Sequence, residues 1–232
     1  EQQTAGLEEL RGKIFDEIKS RTQETDLSVP TRMGDWWYYS RTIEGKSYGL
    51  QCRCPVASPD DWTPPDLSGH AAVPNERILL DSNLEAEGHS FFSLGAFSIS
   101  QDGNLLAYST DTEGDERYTL RFKDLRTGEM LPDEIEKVST GATWSFDHGH
   151  VFYQTVDESW RPDTVWRHTL GTTSESDDKV FHDPDESYWV GFGSTRSEKY
   201  LMILVDSIIT SECLVLDSEN PVGEFRVVLP LV

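Results

Sequence analysis

The sequence contains few of the residues that define several common protein classes. It has three cysteines, at positions 52, 54 and 213, and this low, odd number cannot form a disulfide framework. No run approaches 18 apolar residues, and the first residues contain no apolar core of a secretory signal. We therefore expect a reduced, cytoplasmic protein without a membrane span. Because it does not begin with methionine, we expect a processed chain or a piece of a longer one.

Basic residues are also scarce. The 232 residues include 20 Lys and Arg against 42 Asp and Glu, so the net charge is −22. Nucleic-acid binding needs clustered cations and is not expected. Such a chain attracts cations or basic peptides, although solubility alone also accounts for the charge. Aromatic residues make up 11% of the sequence and include seven Trp, which excludes a disordered acidic tail.

Helical periodicity is confined to the beginning of the chain. Apolar residues recur at helical spacing between Leu7 and Ile18, and the pattern ends before Pro30. We predict an N-terminal helical extension over residues 1–30 and a second domain over residues 31–232. The second domain contains short runs rich in Tyr, Trp, Val, Leu and Thr, separated by turn residues, which predict strands. The proline-rich stretch 55–74 is predicted as a loop or insertion.

The strand region repeats itself. FSISQDGNLLAYSTD (97–111) and TWSFDHGHVFYQTVD (143–157) share an aromatic residue, a serine, a turn and an apolar strand. A weaker copy covers 191–207, and DWWYYSRT (35–42) matches the corresponding strand of a first copy. The equivalent positions are Tyr39, Tyr108, Tyr153 and Ile203.

Repeats of about 45–50 residues with four short strands are typical of a β-propeller. The predicted fold class is all-β, an incomplete propeller of about four blades out of an expected seven, preceded by an α-helix. A closed, free-standing propeller of four blades that binds a protein or peptide is the alternative. An incomplete ring would leave apolar faces bare, with Trp36 and Tyr38 at one end and Leu201 and Ile203 at the other. Self-association of the chain is therefore expected.

Four long segments carry a resemblance to a known family: WWYYSRTIEGKSYGLQCR (36–53), LLDSNLEAEGHSFFSLG (79–95), LLAYSTDTEGDERYTLRFKDLRTGE (105–129) and VFYQTVDESWRPDTVWRHTLGT (151–172). The chain resembles the N-terminal portion of the oligopeptidase B, or protease II, branch of the prolyl oligopeptidase family of serine peptidases. The resemblance implies a seven-bladed propeller over an α/β-hydrolase domain, cleavage after Lys or Arg, and basic oligopeptides as substrates. The propeller would restrict entry to peptides, and its partner would be the peptidase domain of the same parent chain.

This chain is expected to be inactive alone. It has no G-x-S-x-G motif, and the nearest approximation, GFGST at 191–195, has the wrong spacing and is predicted at a turn. We predict no catalytic residue, no metal site and no cofactor in this chain. The two histidines of the sequence HGH, His148 and His150, lack a third ligand at metal spacing and are predicted to be structural or solvent-exposed.

Two loops carry the candidate site. The loop 111–116 has four acidic residues, and a solvated turn, a Ca²⁺ site and a domain interface are the three interpretations. The resemblance implies that an acidic side chain here meets an arginine of the peptidase domain, and Glu116 or Asp115 is the best match. In the equivalent loop 157–163, Glu158, Trp160 and Arg161 either pack on their own blade or face a domain or substrate.

The remaining tryptophans on strands are predicted to pack between blades. They are Trp36, Trp37, Trp144, Trp166 and Trp189.

Overall fold

The computed structural model describes residues 6–66 and 73–230. In this part of the chain, sixteen strands form four antiparallel sheets of four strands each, and the strands of every sheet follow one another in sequence order. The sheets are numbered 1 to 4 along the chain. This arrangement confirms the predicted incomplete β-propeller.

Sheets 1 and 2 are built from the first eight strands. Sheet 1 contains β1 (Thr31–Met33), β2 (Trp36–Arg41), β3 (Leu50–Pro55) and β4 (Arg77–Asp81). Sheet 2 contains β5 (Ser93–Ile99), β6 (Leu105–Asp111), β7 (Tyr118–Asp124) and β8 (Met130–Val138).

Sheets 3 and 4 repeat the same plan. Sheet 3 contains β9 (Ala142–Trp144), β10 (His150–Val156), β11 (Pro162–Thr169) and β12 (Asp178–His182). Sheet 4 contains β13 (Trp189–Ser194), β14 (Tyr200–Asp206), β15 (Ser211–Asp217) and β16 (Arg226–Leu229).

The chain divides into two compact units, the first ending at Glu85 and the second beginning at Ala86. The first unit contains sheet 1 and helix α1 (Glu8–Arg21), and the second contains sheets 2, 3 and 4. A helix α2 of four residues, Ser82–Glu85, ends the first unit and was not predicted. No helix in residues 6–66 or 73–230 is long and apolar enough to cross a membrane.

The repeat predicted from the sequence is confirmed by the second strand of each sheet. Its fourth residue is always one of the four equivalent positions, and all four side chains are at most 5% exposed. These residues are Tyr39, Tyr108, Tyr153 and Ile203. Each repeat therefore places the same strand position in a core.

The second unit is held together by two apolar layers. One layer lies between sheets 2 and 3 and includes Phe122 and Val151, both fully buried. The other lies between sheets 3 and 4 and includes Phe152 and Ile203. The first strands of these sheets are neighbours, with β9 next to β5 and to β13. Each sheet thus buries its faces against the next, as stacked blades do.

Two predictions about apolar side chains are wrong. Trp189 does not lie in a core and is 58% exposed, because it is at the beginning of β13 and on the face opposite Val190. Leu201 and Ile203 are not on a bare face. They are 2% and 0% exposed, and it is Leu204, on the opposite face of β14, that is 38% exposed.

Helix α1 has ion pairs between successive turns, but none of its side chains is packed in a core. Glu9 pairs with Lys13, and Glu17 pairs with Arg21. None of its residues is buried, and Phe15 and Ile18 are 64% and 62% exposed. The described part of the chain therefore leaves the apolar stripe of this helix uncovered.

The proline-rich stretch is a loop where it is described. Residues 56–66 form neither helix nor strand, and Arg32 holds this segment by donating to the carbonyl oxygens of Pro59 and Asp61. Residues 67–72, which include His70, lie outside the described residues.

Candidate functional site

Four loops meet at one end of sheets 2, 3 and 4. In an antiparallel sheet with strands in sequence order, the loop between the second and third strands lies at the same end as the connection to the next sheet. We call the segments 111–117, 157–161, 183–188 and 206–210 the loop rim. They contain ten carboxylates and two arginines. The loop rim, which includes both candidate loops, therefore has a large excess of negative charge.

The first of these loops is organised by Asp111. Its carboxylate is 2% exposed and accepts hydrogen bonds from the backbone N–H groups of Glu113, Gly114 and Glu116, at 2.8, 2.8 and 3.0 Å. Burial alone would raise the pKa of Asp111, but these donors outweigh burial and hold the pKa below the usual carboxyl range. Asp111 therefore fixes the turn, because its oxygens accept from the loop backbone.

Asp115 and Glu116 lie next to this buried carboxylate in the loop, and their surroundings differ from its own. Both residues are exposed, and within the described residues the Glu116 carboxylate has neither an ion pair nor a hydrogen bond. Glu116 has a φ of 60°, in the left-handed region that costs a non-glycine residue about 1 kcal/mol or more. The loop thus presents Glu116 as an unpaired negative charge on a backbone fixed by Asp111.

Trp160 connects this loop to the next one. Its indole N–H donates to the carbonyl oxygen of Asp115 at 2.8 Å, and the Arg117 guanidinium lies 4.5 Å from its ring centre. Trp160 is 42% exposed and, like Glu116, has a φ of 60°. The indole therefore packs on the loop of the preceding sheet instead of its own sheet, and Glu158 beside it is exposed.

Arg161 connects two loops of the loop rim. It is 6% exposed and bonds the Asp157 carboxylate at 2.9 Å. Its guanidinium also donates to the carbonyl oxygens of Asp183, Asp185 and Tyr188. Hydrogen bonds from Arg161 and Ser159 lower the pKa of Asp157 against the opposing effect of burial. All these contacts hold loop 157–161 against loop 183–188, so the side chain of Arg161 faces inward.

The histidines and the serine segment singled out from the sequence have the following surroundings. In residues 6–66 and 73–230, no group of three His, Cys, Asp or Glu side chains is placed to hold a metal ion. His150 contacts Asp147 at 3.1 Å, and His148 contacts Asp102 at 3.5 Å. The GFGST segment lies mostly on β13 and not at a turn as predicted.

One buried charged cluster was not found by sequence reasoning. The two ring nitrogens of His168 contact Asp177 at 2.7 Å and Asp133 at 3.1 Å, and all three side chains are at most 2% exposed. Asp133 comes from β8, so the cluster joins sheet 2 to sheet 3. The sequence gives no signal for it, because the two acids lie 35 and 9 residues from the histidine.

Comparison with known protein families gives a match that covers the whole chain. Residues 1–232 match the family described as "Prolyl oligopeptidase, N-terminal beta-propeller domain". The chain is 36% identical over 228 residues to dipeptidyl aminopeptidase BI from Pseudoxanthomonas mexicana, covering 97% of this chain and 31% of that protein. It is 30% identical over 224 residues to protease 2 from Moraxella lacunata, covering 96% and 31%. The chain spans about a third of the length of these relatives.

Solved structures share the same arrangement of strands. Oligopeptidase B from Leishmania major superposes with a TM-score of 0.87 at 27% identity, over 99% of this chain and 31% of that chain. Oligopeptidase B from Trypanosoma brucei, with covalently bound antipain in a closed form, gives a TM-score of 0.86 at 31% identity, over 100% and 31%.

Proposed function

The chain belongs to the prolyl oligopeptidase family through its N-terminal β-propeller domain, and from this premise we propose that it is the non-catalytic, substrate-admitting part of a serine peptidase that cleaves peptides after Lys or Arg. In this proposal the nucleophile and its partners belong to a peptidase domain of the same parent chain. The propeller admits peptides and excludes folded proteins. Basic oligopeptides are the substrates.

The acidic loop rim is the observation that carries this proposal. Its carboxylates lie at one end of sheets 2, 3 and 4, and their field concentrates cationic ligands at that end. Arg161 and Trp160 tie the loops to one another, so the charges keep fixed positions. A rigid acidic rim is suited to guiding a Lys- or Arg-containing peptide into a peptidase.

Glu116 is proposed to pair with an arginine of the peptidase domain. Its carboxylate has no partner among the described residues. The backbone beside it is fixed, because the Glu116 N–H donates to the Asp111 carboxylate and the Asp115 carbonyl oxygen accepts from the Trp160 indole. A charge pair across a domain seam is partly desolvated and fixes the register of the two domains more firmly than a surface pair. Asp115 and Glu158, both exposed beside it, contribute to the same interface in this proposal.

Helix α1 is proposed to pack on the same peptidase domain. Its apolar residues Leu10, Ile14 and Phe15 are 51%, 49% and 64% exposed. An amphipathic helix gains most of its stability from burying such a face. A peptidase domain packed on this helix would bury these apolar side chains and stabilise the helix.

The test is a Glu116→Gln substitution in the longer protein, with Glu113→Gln in the same loop as the matched control. We expect Glu116→Gln to lower kcat/KM on Arg substrates about fivefold to a hundredfold, because an arginine left unpaired at a half-buried seam costs about 1–3 kcal/mol. The midpoint of thermal unfolding should change little. An unchanged kcat/KM in Glu116→Gln would contradict the proposed pair and would favour the interpretation of this loop as a solvated turn.

A second candidate reaction is the removal of N-terminal dipeptides. It is favoured by the 36% identity to a protein named dipeptidyl aminopeptidase BI. Peptides with free and with acetylated N-termini distinguish the two reactions in the longer protein. A dipeptidyl aminopeptidase needs the free amine, whereas an oligopeptidase cleaves both peptides after Lys or Arg.

We also propose a cytoplasmic location. The three cysteines, Cys52, Cys54 and Cys213, are free thiols. Cys52 is 1% exposed, and burial raises its thiol pKa to about 12, so the reactive thiolate is not formed at neutral pH. Fractionation of cells that produce the longer protein checks this location, and recovery from the secreted fraction would contradict it.

A further inference from the structure

Arg117 belongs to an acidic loop but pairs with none of the acids around it. Glu113, Asp115 and Glu116 all lie within the four residues before it. Among the described residues, its guanidinium forms no ion pair with a carboxylate and lies instead over the Trp160 ring, 4.5 Å from the ring centre. The cation of the first candidate loop is therefore bound to an aromatic ring of the second.

The contact lies entirely within the second compact unit. The loop that carries Arg117 joins β6 to β7 in sheet 2, and the loop that carries Trp160 joins β10 to β11 in sheet 3. These two sheets are neighbours, because they share an apolar layer. The contact between ring and guanidinium thus needs neither a further blade nor a second copy.

Arg126 shows what an arginine in an acidic turn of this chain does otherwise. In the turn after β7, its guanidinium bonds the carboxylate of Asp124, two residues earlier, at 2.6 Å. A guanidinium has five N–H donors that match the oxygens of a carboxylate, so such pairs form readily. Glu116 is exposed and directly precedes Arg117. An ion pair between Glu116 and Arg117 is therefore the arrangement with which the Trp160 ring competes.

The Trp160 ring is fixed in place by hydrogen bonds on two sides. Its indole N–H donates to the Asp115 carbonyl oxygen at 2.8 Å, and its backbone N–H donates to the Asp157 carbonyl oxygen at 3.2 Å. The Asp157 carboxylate accepts from the backbone N–H groups of Ser159 and Arg161, at 2.8 and 3.0 Å. The ring therefore has its position before a guanidinium lies on it.

Asp115 brings the arginine and the ring together. Its carboxylate accepts from the backbone N–H of Arg117 at 3.1 Å, while its carbonyl oxygen accepts from the Trp160 indole. Glu116 lies between these two bonded residues, and its own N–H donates to the buried Asp111 carboxylate. The backbone on which the Glu116 carboxylate and the Arg117 guanidinium are carried is thus fixed at three points.

Preorganisation decides the competition in favour of the ring. A cation–π contact at an exposed site and an exposed ion pair stabilise a protein to a similar extent. An ion pair between Glu116 and Arg117 would restrict two long side chains, whereas the ring of Trp160 is already fixed and only the arginine loses freedom. The arginine is therefore expected on the ring, where the structure has it.

We propose that Trp160 is a positioning residue, which keeps Arg117 away from Glu116 and so leaves the Glu116 charge available for the arginine of the peptidase domain. Without the ring, Arg117 pairs with Glu116 and neutralises it within the loop. The inference rests on the proposed function of Glu116 for its effect on cleavage. The competition for Arg117 itself takes place within the 232-residue chain.

The first experiment follows the Nε–Hε signal of Arg117 by NMR in the 232-residue chain. Glu116→Gln should leave this signal unchanged while Trp160 is present, because the guanidinium lies on the ring. The same substitution should move the signal in a chain that carries Trp160→Leu, where Arg117 pairs with Glu116. An equal response in the two backgrounds, whether a shift or none, would overturn the proposal.

The second experiment measures kcat/KM on Arg substrates in the longer protein. Trp160→Leu should lower kcat/KM about twofold to fivefold, the effect of one competing exposed ion pair. It should lower it much less in a protein that already carries Arg117→Gln, because no cation remains to occupy Glu116. Trp160→Phe lacks the indole N–H but keeps a ring for Arg117, so it should retain most of the activity.

Trp62→Leu is the matched control, because Trp62 is also exposed, at 69%, and carries Arg32 over its ring at 4.2 Å. It should leave kcat/KM unchanged. If Trp160 only stiffened the loop, Trp160→Leu would be equally harmful with and without Arg117, and Trp160→Phe would behave like Trp160→Leu. Either result would contradict the proposal. An unchanged kcat/KM in Glu116→Gln would instead contradict the proposed pair with the peptidase domain, and the NMR experiment would still decide the role of Trp160.

Discussion

At the scale of single residues, His168 is the clearest case of a charge fixed by its surroundings. Both ring nitrogens contact carboxylate oxygens, of Asp177 and Asp133, and a neutral imidazole has only one N–H to donate. Tyr153 also donates to Asp177, and the N–H of Gly171 donates to Asp133. Burial alone would lower the pKa of His168, but the two aspartates outweigh burial and raise it. The cluster therefore contains an imidazolium ion.

This cluster predicts how stability depends on pH. Because the folded-state pKa is raised, the contribution of His168 is fully present below the unfolded value of about 6.5 and is lost as pH rises through the folded value. His168→Gln should lower the free energy of unfolding by about 3 kcal/mol at pH 6, where it leaves two buried carboxylates without their cation. The loss relative to wild type should shrink as pH rises.

Urea unfolding between pH 5.5 and 9 checks this prediction. His182→Gln is the control, since the His182 side chain is 40% exposed, lies 3.5 Å from the Asp163 carboxylate and hydrogen-bonds the Thr164 hydroxyl at 2.9 Å. Parallel pH profiles for wild type and His168→Gln would contradict the assignment of an imidazolium ion.

The residue scale is also where sequence reasoning succeeded least. The repeat identified Tyr39, Tyr108 and Tyr153 as equivalent positions, and the structure buries all three, because burial follows strand alternation. It placed Trp189 in a core incorrectly, since alternation does not reveal which face of a sheet has a neighbour. The inward role of Arg161 depends on carbonyl groups more than 20 residues away, and no local pattern encodes such contacts.

At the scale of elements, strands were predicted more reliably than their partners. The turn residues after each apolar run mark where β6, β10 and β14 end, so the four-strand repeat could be predicted from the sequence. The contacts that join one sheet to the next could not be predicted from the sequence. The indole of Trp160 reaches the loop of the preceding sheet, and the sequence indicated only that an exposed ring beside an arginine is unusual.

Helix α1 provides a prediction at this scale. Removal of residues 1–21 should change the free energy of unfolding of the 232-residue chain by less than about 0.5 kcal/mol, because no residue of α1 is buried. The same deletion in the longer protein should destabilise it, since the proposed peptidase domain would lose the apolar face it covers. Urea unfolding of both pairs is the measurement. A large loss of stability in the short chain would show that α1 packs within it.

At the scale of the whole molecule, sheet 4 has an uncovered face. Leu201, Ile203 and Val205 of β14 are buried toward sheet 3, whereas Leu204 alternates to the opposite side and is 38% exposed. In a propeller, a following blade covers such a face. The net charge of −22 opposes association, but salt screens it within about 10 Å at 0.1 M.

We therefore expect the chain to form dimers or larger species that strengthen with salt. Sedimentation velocity at low and high ionic strength measures this directly. Leu204→Glu should weaken association, whereas Val222→Glu, at a site that is 64% exposed in a loop, should not. A monomer at every salt concentration, with all strands protected from hydrogen exchange, would instead favour a free-standing four-bladed propeller.

One assay tests most directly the proposal that the propeller is non-catalytic and that the peptidase domain cleaves the substrate. An Arg-containing fluorogenic dipeptide is incubated with the 232-residue chain and, separately, with the longer protein. We predict rapid hydrolysis by the longer protein and none above buffer by the chain, which has no nucleophile motif. Turnover by the chain alone, retained through repurification and abolished by a serine-directed inhibitor, would contradict the account.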